Sequence, residues 1–180
     1  MKQKATAKQL AVSASLIALA LVVNNLIPKI HMPFGGAVTL FSMFIIYLSG
    51  YCFGWKMGAL AAVAYGLLDL LLGPTIVHPV QVLLDYPLAF GMLGFGAIFN
   101  RGRFGLQLGY LAGVIGRLIM STISGAIFFA EYAPVGQSAW IYSLSYQFSY
   151  LAPEAVLTLI VISIPAVAGL IERLKKSVTR

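Results

Sequence analysis

Apolar residues run along this chain in long blocks, and polar residues are confined to the short breaks between them. Breaks marked by Pro, Gly or charge delimit six blocks, at about 9–28, 37–54, 57–73, 79–99, 105–129 and 140–171. Crossing the ~30 Å of hydrocarbon in a bilayer takes about 20 apolar residues in an α-helix. Most of the blocks approach that length; the third is short, and the sixth is long enough to tilt or to extend past the bilayer. The pattern predicts an all-α membrane protein, a bundle of six transmembrane helices forming one domain.

Composition narrows the picture in the same direction. Of the 180 residues, 60% are hydrophobic and only 9% charged, with a mean hydropathy of +0.92. A soluble domain carries about 25% charged residues, so this chain could not cover a water-facing surface. The start, with Lys2, Lys4 and Lys8 ahead of an apolar run, resembles a signal peptide. It lacks a small-residue cleavage site and runs on into Asn24, Asn25 and Pro28, so it reads as a retained first span.

Charge sets the orientation. If the N-terminus is inside and the spans alternate, the inner segments hold Lys2, Lys4, Lys8, Lys56, Arg101, Arg103, Arg173, Lys175, Lys176 and Arg180. That leaves Lys29 outside and Arg117 within the fifth span. Such asymmetry places both termini in the cytoplasm and supports an even number of spans. The net charge of +7 is therefore a topology signal, and nucleic acid is not an expected partner.

Polar groups inside hydrocarbon are costly and need a partner or a task. Asp69 falls near the outer end of the third helix. Asp85 falls about two turns into the fourth, with Gln81 one turn earlier and Tyr86 adjacent. In the sixth, Tyr142, Tyr146 and Tyr150 recur every four residues as one aromatic stripe, with Gln147 beside it. Trp140, Phe128, Phe129 and Tyr132 cluster at the outer mouth. Carboxylates beside aromatic rings in a partly dry cavity suit a cationic aromatic ligand, because attraction strengthens at low dielectric and cation–π contacts add roughly 0.5–2 kcal/mol each. Trp140, Tyr132 and Tyr142 fit an interfacial aromatic belt equally well. Arg117 and Glu154 fall at similar depth near mid-bilayer; an ion pair is the expectation there, with a proton relay as the alternative.

Enzyme and metal signatures are thin. No GxxxxGK[ST] loop occurs, which excludes a Walker A ATPase on this chain. Thr122-Ile123-Ser124-Gly125 faintly resembles an intramembrane serine protease motif, without its first glycine and without a helical histidine as base. His31 and His78 fall in outer loops with no third ligand, and Cys52 stands alone, so no metal or other cofactor is expected. On the first helix Ala14 and Ala18, with Ala11 nearby, make a small-residue face that either packs within the bundle or docks another membrane subunit.

The segment from His78 to Phe90, HPVQVLLDYPLAF, resembles the central signature of the ThiT (YuaJ) family. These proteins are the thiamine-binding S-components of energy-coupling factor (ECF) transporters. A second block is similar to the same family, with Ser124-Gly125-Ala126-Ile127-Phe128-Phe129, Tyr132-Ala133-Pro134 and Trp140 to Leu144. The loop with Met32-Pro33 and Gly35-Gly36 is similar too. The resemblance implies a six-helix S-component that captures thiamine from outside the plasma membrane. A transmembrane coupling protein and two cytoplasmic ATPases would supply the energy, and docking would fall on Ala14 and Ala18. Asp85 and Tyr86 correspond to the family's acidic-Tyr pair, with Asp85 near the charged part of thiamine. Tyr142 matches a binding tyrosine, and Phe129 stands where some members have Trp. Gln81, beside Asp85, joins the expected ligand-binding set. Two positions depart from the pattern: Ser121 stands where many members have a binding His, and Gln147 where they have Asn. The departures leave a related vitamin or thiamine precursor as the alternative ligand.

Overall fold

A computed structural model describes residues 6–32, 35–73 and 75–179. Lys2, Lys4, Pro33 and Arg180, all named above, lie outside the described residues. Helix α1 spans Ala7–Leu26 and opens with a capping box. Thr6 Oγ1 accepts from the Gln9 amide at 3.3 Å while Gln9 Oε1 accepts from the Thr6 amide at 3.1 Å. Two otherwise orphaned donors are thereby satisfied reciprocally. The helix stops at Leu26, short of the expected residue 28, because Ile27 precedes Pro28 and is extended; the proline ring disfavours the helical conformation there.

The second block departs from expectation at its start. Ile30–His31 (β1) pairs antiparallel with Ala37–Val38 (β2), and helix α2 begins only at Ser42 and ends at Phe53. Leu40 and Phe41 are left-handed, with φ of 37° and 70°. A right-handed helix cannot run through two such residues. At 12 residues, α2 rises only ~18 Å and is almost wholly buried.

Helix α3 covers Trp55–Leu72, and α4 the continuous stretch Pro79–Phe99. His78 Nδ1 accepts from the Val80 amide at 3.1 Å and caps α4, with Pro79 in the first position. Residues Leu84–Leu88 widen into a π-turn around Pro87, which has no N–H to donate, and the Ala89 amide reaches back to the Leu84 carbonyl. Such bulges are frequent at functional sites, and this one carries Asp85 and Tyr86. Helix α5 spans Gly105–Phe128 and α6 spans Ala139–Ser163.

The expected sixth block of 140–171 is two helices. Ile164 is extended ahead of Pro165, as pre-proline residues tend to be, and α7 (Pro165–Thr179) follows as a separate amphipathic helix. Val167, Ala168, Ile171, Lys175 and Val178 form its half-buried face. Lys175 Nζ sits 4.1 Å from the Tyr51 ring centroid, and Lys8 Nζ donates to the Ser177 carbonyl at 3.1 Å. The helix thus reaches from the end of α6 to the start of α1 across the base of the bundle.

Among the described residues five helices are long and apolar enough to cross a membrane, namely α1, α3, α4, α5 and α6, and α2 is a shorter apolar one. The chain is a multi-pass membrane protein. Lys8, Lys56, Arg101, Arg103, Arg173, Lys175 and Lys176 gather at the end where α1 starts, α2 meets α3 and α4 meets α5. A buried tyrosine cluster fills that half: Tyr47 and Tyr110 pack edge to face at 5.8 Å, Phe44 and Tyr110 at 5.6 Å. The Tyr47 hydroxyl donates to Asn100 Oδ1. The opposite half holds a cavity.

Candidate functional site

The cavity has a volume of about 430 Å³, within the range of small-molecule pockets. Three helices supply its walls through positions one turn apart. On α4 these are Gln81 and Asp85, then Tyr86 and Phe90; on α5, Arg117, Ser121 and Gly125; on α6, Tyr142, Tyr146 and Tyr150. Ser143 and Gln147 run alongside the α6 stripe. Phe129, Tyr132, Thr75 and Asp69 complete the lining at the mouth and floor.

The polar groups are wired together. Gln81 Nε2 donates to Asp85 Oδ2 at 2.6 Å and to the Thr75 carbonyl at 3.1 Å, while Gln81 Oε1 accepts from the Val77 amide at 3.1 Å. Tyr86 accepts from the Thr75 amide at 3.0 Å. The loop between α3 and α4 is therefore tied to α4 at both Gln81 and Tyr86. Gln147 Nε2 donates to the Ser121 carbonyl at 3.3 Å, and its Oε1 accepts from the Tyr150 hydroxyl. Ser143 Oγ donates to the Thr122 carbonyl at 2.9 Å, fixing α6 against α5.

Arg117 and Glu154 do not form the expected ion pair. The guanidinium lies 4.2 Å from the Phe90 ring centroid, and its Nε is buried without a hydrogen-bond partner among the described residues. Glu154 instead accepts from the Thr39 amide and hydroxyl, both at 2.9 Å, and from the Met43 amide at 3.4 Å. Equal depth in the bundle does not make two side chains neighbours: Glu154 points to the start of α2, Arg117 to the cavity. Counted as ionised, Asp69 and Asp85 on its walls against Arg117 give the lining a formal charge of −1.

All seven expected ligand-binding residues, Gln81, Asp85, Tyr86, Ser121, Phe129, Tyr142 and Gln147, line this one cavity. Tyr132 and Tyr142 line it as well, whereas Trp140 lies outside, 54% exposed, so the outer aromatics divide between cavity and belt. Asp69, Thr75, Phe90, Arg117, Tyr146 and Tyr150 also line it and were not in the expected set. The four-residue spacing signals Tyr146 and Tyr150; Thr75 carries no signal, because only its backbone bond to Tyr86 brings it in.

Ser124 is fully buried, its hydroxyl without a geometrically sound hydrogen bond among the described residues, and it is not part of the cavity wall. His78 is occupied capping α4 and stacks on Phe128 at 5.0 Å. No group of three His, Cys, Asp or Glu side chains that could hold a metal occurs among the described residues. Ala14 and Ala18 are exposed on α1, whereas Ser13 is buried and its hydroxyl meets that of Ser49 on α2 at 2.7 Å. Their small-residue face does not pack within this bundle.

A family described as "Thiamine transporter protein (Thia_YuaJ)" matches residues 10–172. The thiamine transporter ThiT of Bacillus subtilis (strain 168) is 33% identical, covering 74% of this chain and 76% of that protein. ThiT of Lacticaseibacillus paracasei is 28% identical, covering 62% of this chain and 64% of the relative. The solved structure of ThiT from Listeria monocytogenes superposes with a TM-score of 0.75 at 22% identity, over 94% of this chain and 96% of that one. The shared fold extends over nearly the whole bundle.

Proposed function

Since the chain belongs to the thiamine transporter protein (Thia_YuaJ) family, we propose that its cavity binds thiamine and that Asp85, Tyr86, Gln81, Ser121, Phe129, Tyr142 and Gln147 contact it. Transport families of this kind carry out no covalent chemistry. The observation that carries the reading is the charge and shape of the cavity. It offers one net negative charge, flat aromatic walls and an amide and hydroxyl fringe, which complement a molecule made of a cationic thiazolium and a neutral aminopyrimidine. Rings of Tyr142, Tyr146 and Phe129 give stacking surfaces. Arg117 offers its Nε donor, which no group among the described residues occupies, suited to an acceptor on the ligand.

The protein sits, on this reading, with its basic end in the cytoplasm and the cavity open to the outside, following the positive-inside rule. Energy comes from other chains, a coupling protein and two ATPases of the ECF type, and the coupling protein docks on Ala14 and Ala18. These two positions are exposed and small, which permits close approach of a partner helix. Calorimetric titration of the purified protein with thiamine is expected to saturate at one ligand per chain, at low micromolar or tighter affinity. A folded sample with no saturable heat would remove the thiamine assignment. Ala14→Trp with Ala18→Trp is expected to leave thiamine binding intact and to abolish co-purification with the coupling protein. Retained association would show that the docking face lies elsewhere.

A further inference from the structure

Glu154 is the acidic group that the cavity leaves unexplained. It lies on α6 one turn beyond Tyr150, is 2% exposed, and spends its whole carboxylate on one segment of chain. One oxygen takes the amide and the hydroxyl of Thr39; the other takes the amide of Met43, the second residue of α2. Helix α2 has no cap of its own, since its N-cap residue Phe41 is left-handed and makes no side-chain bond. A negative charge from another helix fills that place, where the first amides and the helix dipole favour it. Because the Thr39 hydroxyl donates to Glu154, its bond with Ser42 Oγ at 2.6 Å runs from Ser42 to Thr39.

The segment pinned in this way leads directly into the hairpin. Gly35 and Gly36, at φ of 94° and 72°, lie on the rings of Tyr146 and Tyr150. A Cβ at Gly35 would stand 2.8 Å from Tyr146 Cε2, and one at Gly36 2.9 Å from Tyr150 Cε1. These two rings are walls of the cavity, and Tyr150 in turn holds the Gln147 amide. A single buried carboxylate therefore anchors the strand whose other end rests on the cavity's aromatic stripe.

We propose that Glu154 is a positioning residue for ligand binding: by holding Thr39 and the first turn of α2, it seats the hairpin on Tyr146 and Tyr150 and so fixes the rings that the ligand meets. The inference rests on the thiamine reading of the cavity. Saturable thiamine binding by the unaltered protein is therefore the first measurement, and its failure would count against that reading alone. Glu154→Gln keeps one acceptor but turns an NH₂ group toward a backbone donor and removes the charge. Thr39→Val deletes one of the three bonds and leaves the carboxylate in place.

The test compares thiamine affinity with amide hydrogen exchange in the ligand-free protein. Glu154→Gln is expected to weaken thiamine about tenfold, mainly through faster dissociation, and to accelerate exchange in residues 37–43 while α5 is unaffected. Thr39→Val should show the same pattern at smaller size. A purely structural role would lower thermal stability and leave the affinity of the folded protein unchanged. Faster exchange at 37–43 with unchanged affinity would therefore overturn the proposal, as would weaker binding without any change in exchange there. If Glu154→Gln does not fold, Thr39→Val decides: unchanged exchange and affinity in that variant would also overturn it.

Discussion

Asp85→Asn is expected to weaken thiamine binding by about 100-fold, or about 2.7 kcal/mol, while leaving the fold in place. The change is nearly isosteric, and Asn can still accept from Gln81 Nε2, which reaches Asp85 at 2.6 Å. What it removes is charge. With Asp85 neutral, Asp69 and Arg117 balance, and the cavity has no net attraction for a cation. Two unit charges 4 Å apart interact by about 4 kcal/mol at an effective dielectric of 20, which leaves room for the expected loss after partial screening by water in the cavity. A thiamine analogue with an uncharged ring in place of the thiazolium should lose less than about fivefold on the same substitution. Equal losses for both ligands would show that Asp85 acts through hydrogen bonding or shape, and not through its charge.

Gly94→Val is expected to be the most damaging single substitution for stability. Helices α2, α3 and α4 meet backbone to backbone at Gly50, Gly58 and Gly94. A Cβ at Gly94 would overlap the carbonyl of Gly58, and one at Gly58 would lie 2.9 Å from both the Gly50 amide nitrogen and the Gly94 carbonyl oxygen. Small residues at helix crossings permit such contact in membrane bundles. Because the obstructing atoms are backbone, no rotamer change relieves the clash, and the helices must separate. A cost of about 3 kcal/mol or more follows from overpacking of this kind. In a chain of this size that lowers the thermal midpoint by about 6–12 °C. Gly73→Ala, where a Cβ meets nothing within 4 Å, is the control and should shift the midpoint by less than about 2 °C. Equal midpoints for the two variants would refute the close-crossing account.

The helices were legible in the sequence because membrane spans announce themselves by length and hydropathy, and their ends by Pro28, Pro79 and the glycine and arginine turn after Phe99. Two boundaries were not. Pro165 ends α6 where hydropathy alone continues, since Ile164 and Val167 on either side are as apolar as the span itself. The start of α2, set by the left-handed Leu40 and Phe41, is met by Glu154, which lies 115 residues away in sequence from Thr39; no local pattern encodes that contact. The same blindness explains Arg117 and Glu154. Counting residues gives depth within the bilayer, but which way each side chain faces follows from how the helices pack.

The site was more legible than the fold's details, and for a physical reason. A carboxylate, an amide and a ladder of tyrosines inside apolar helices cost too much to be incidental, so Asp85, Gln81, Gln147 and Tyr142 stood out before any geometry was known. Arg117 stood out equally, but its charge suggested a partner within the protein when it in fact faces the cavity. Thr75 could not be found, since it contributes through its backbone.

Whether the cavity between α4, α5 and α6 receives thiamine is decided by an experimental structure of the protein determined with thiamine present. Density for one thiamine is expected in this cavity, its thiazolium beside Asp85 and a ring stacked on the aromatic wall that contains Tyr142. Clear protein density with that cavity empty, or with thiamine bound elsewhere on the chain, would contradict that expectation.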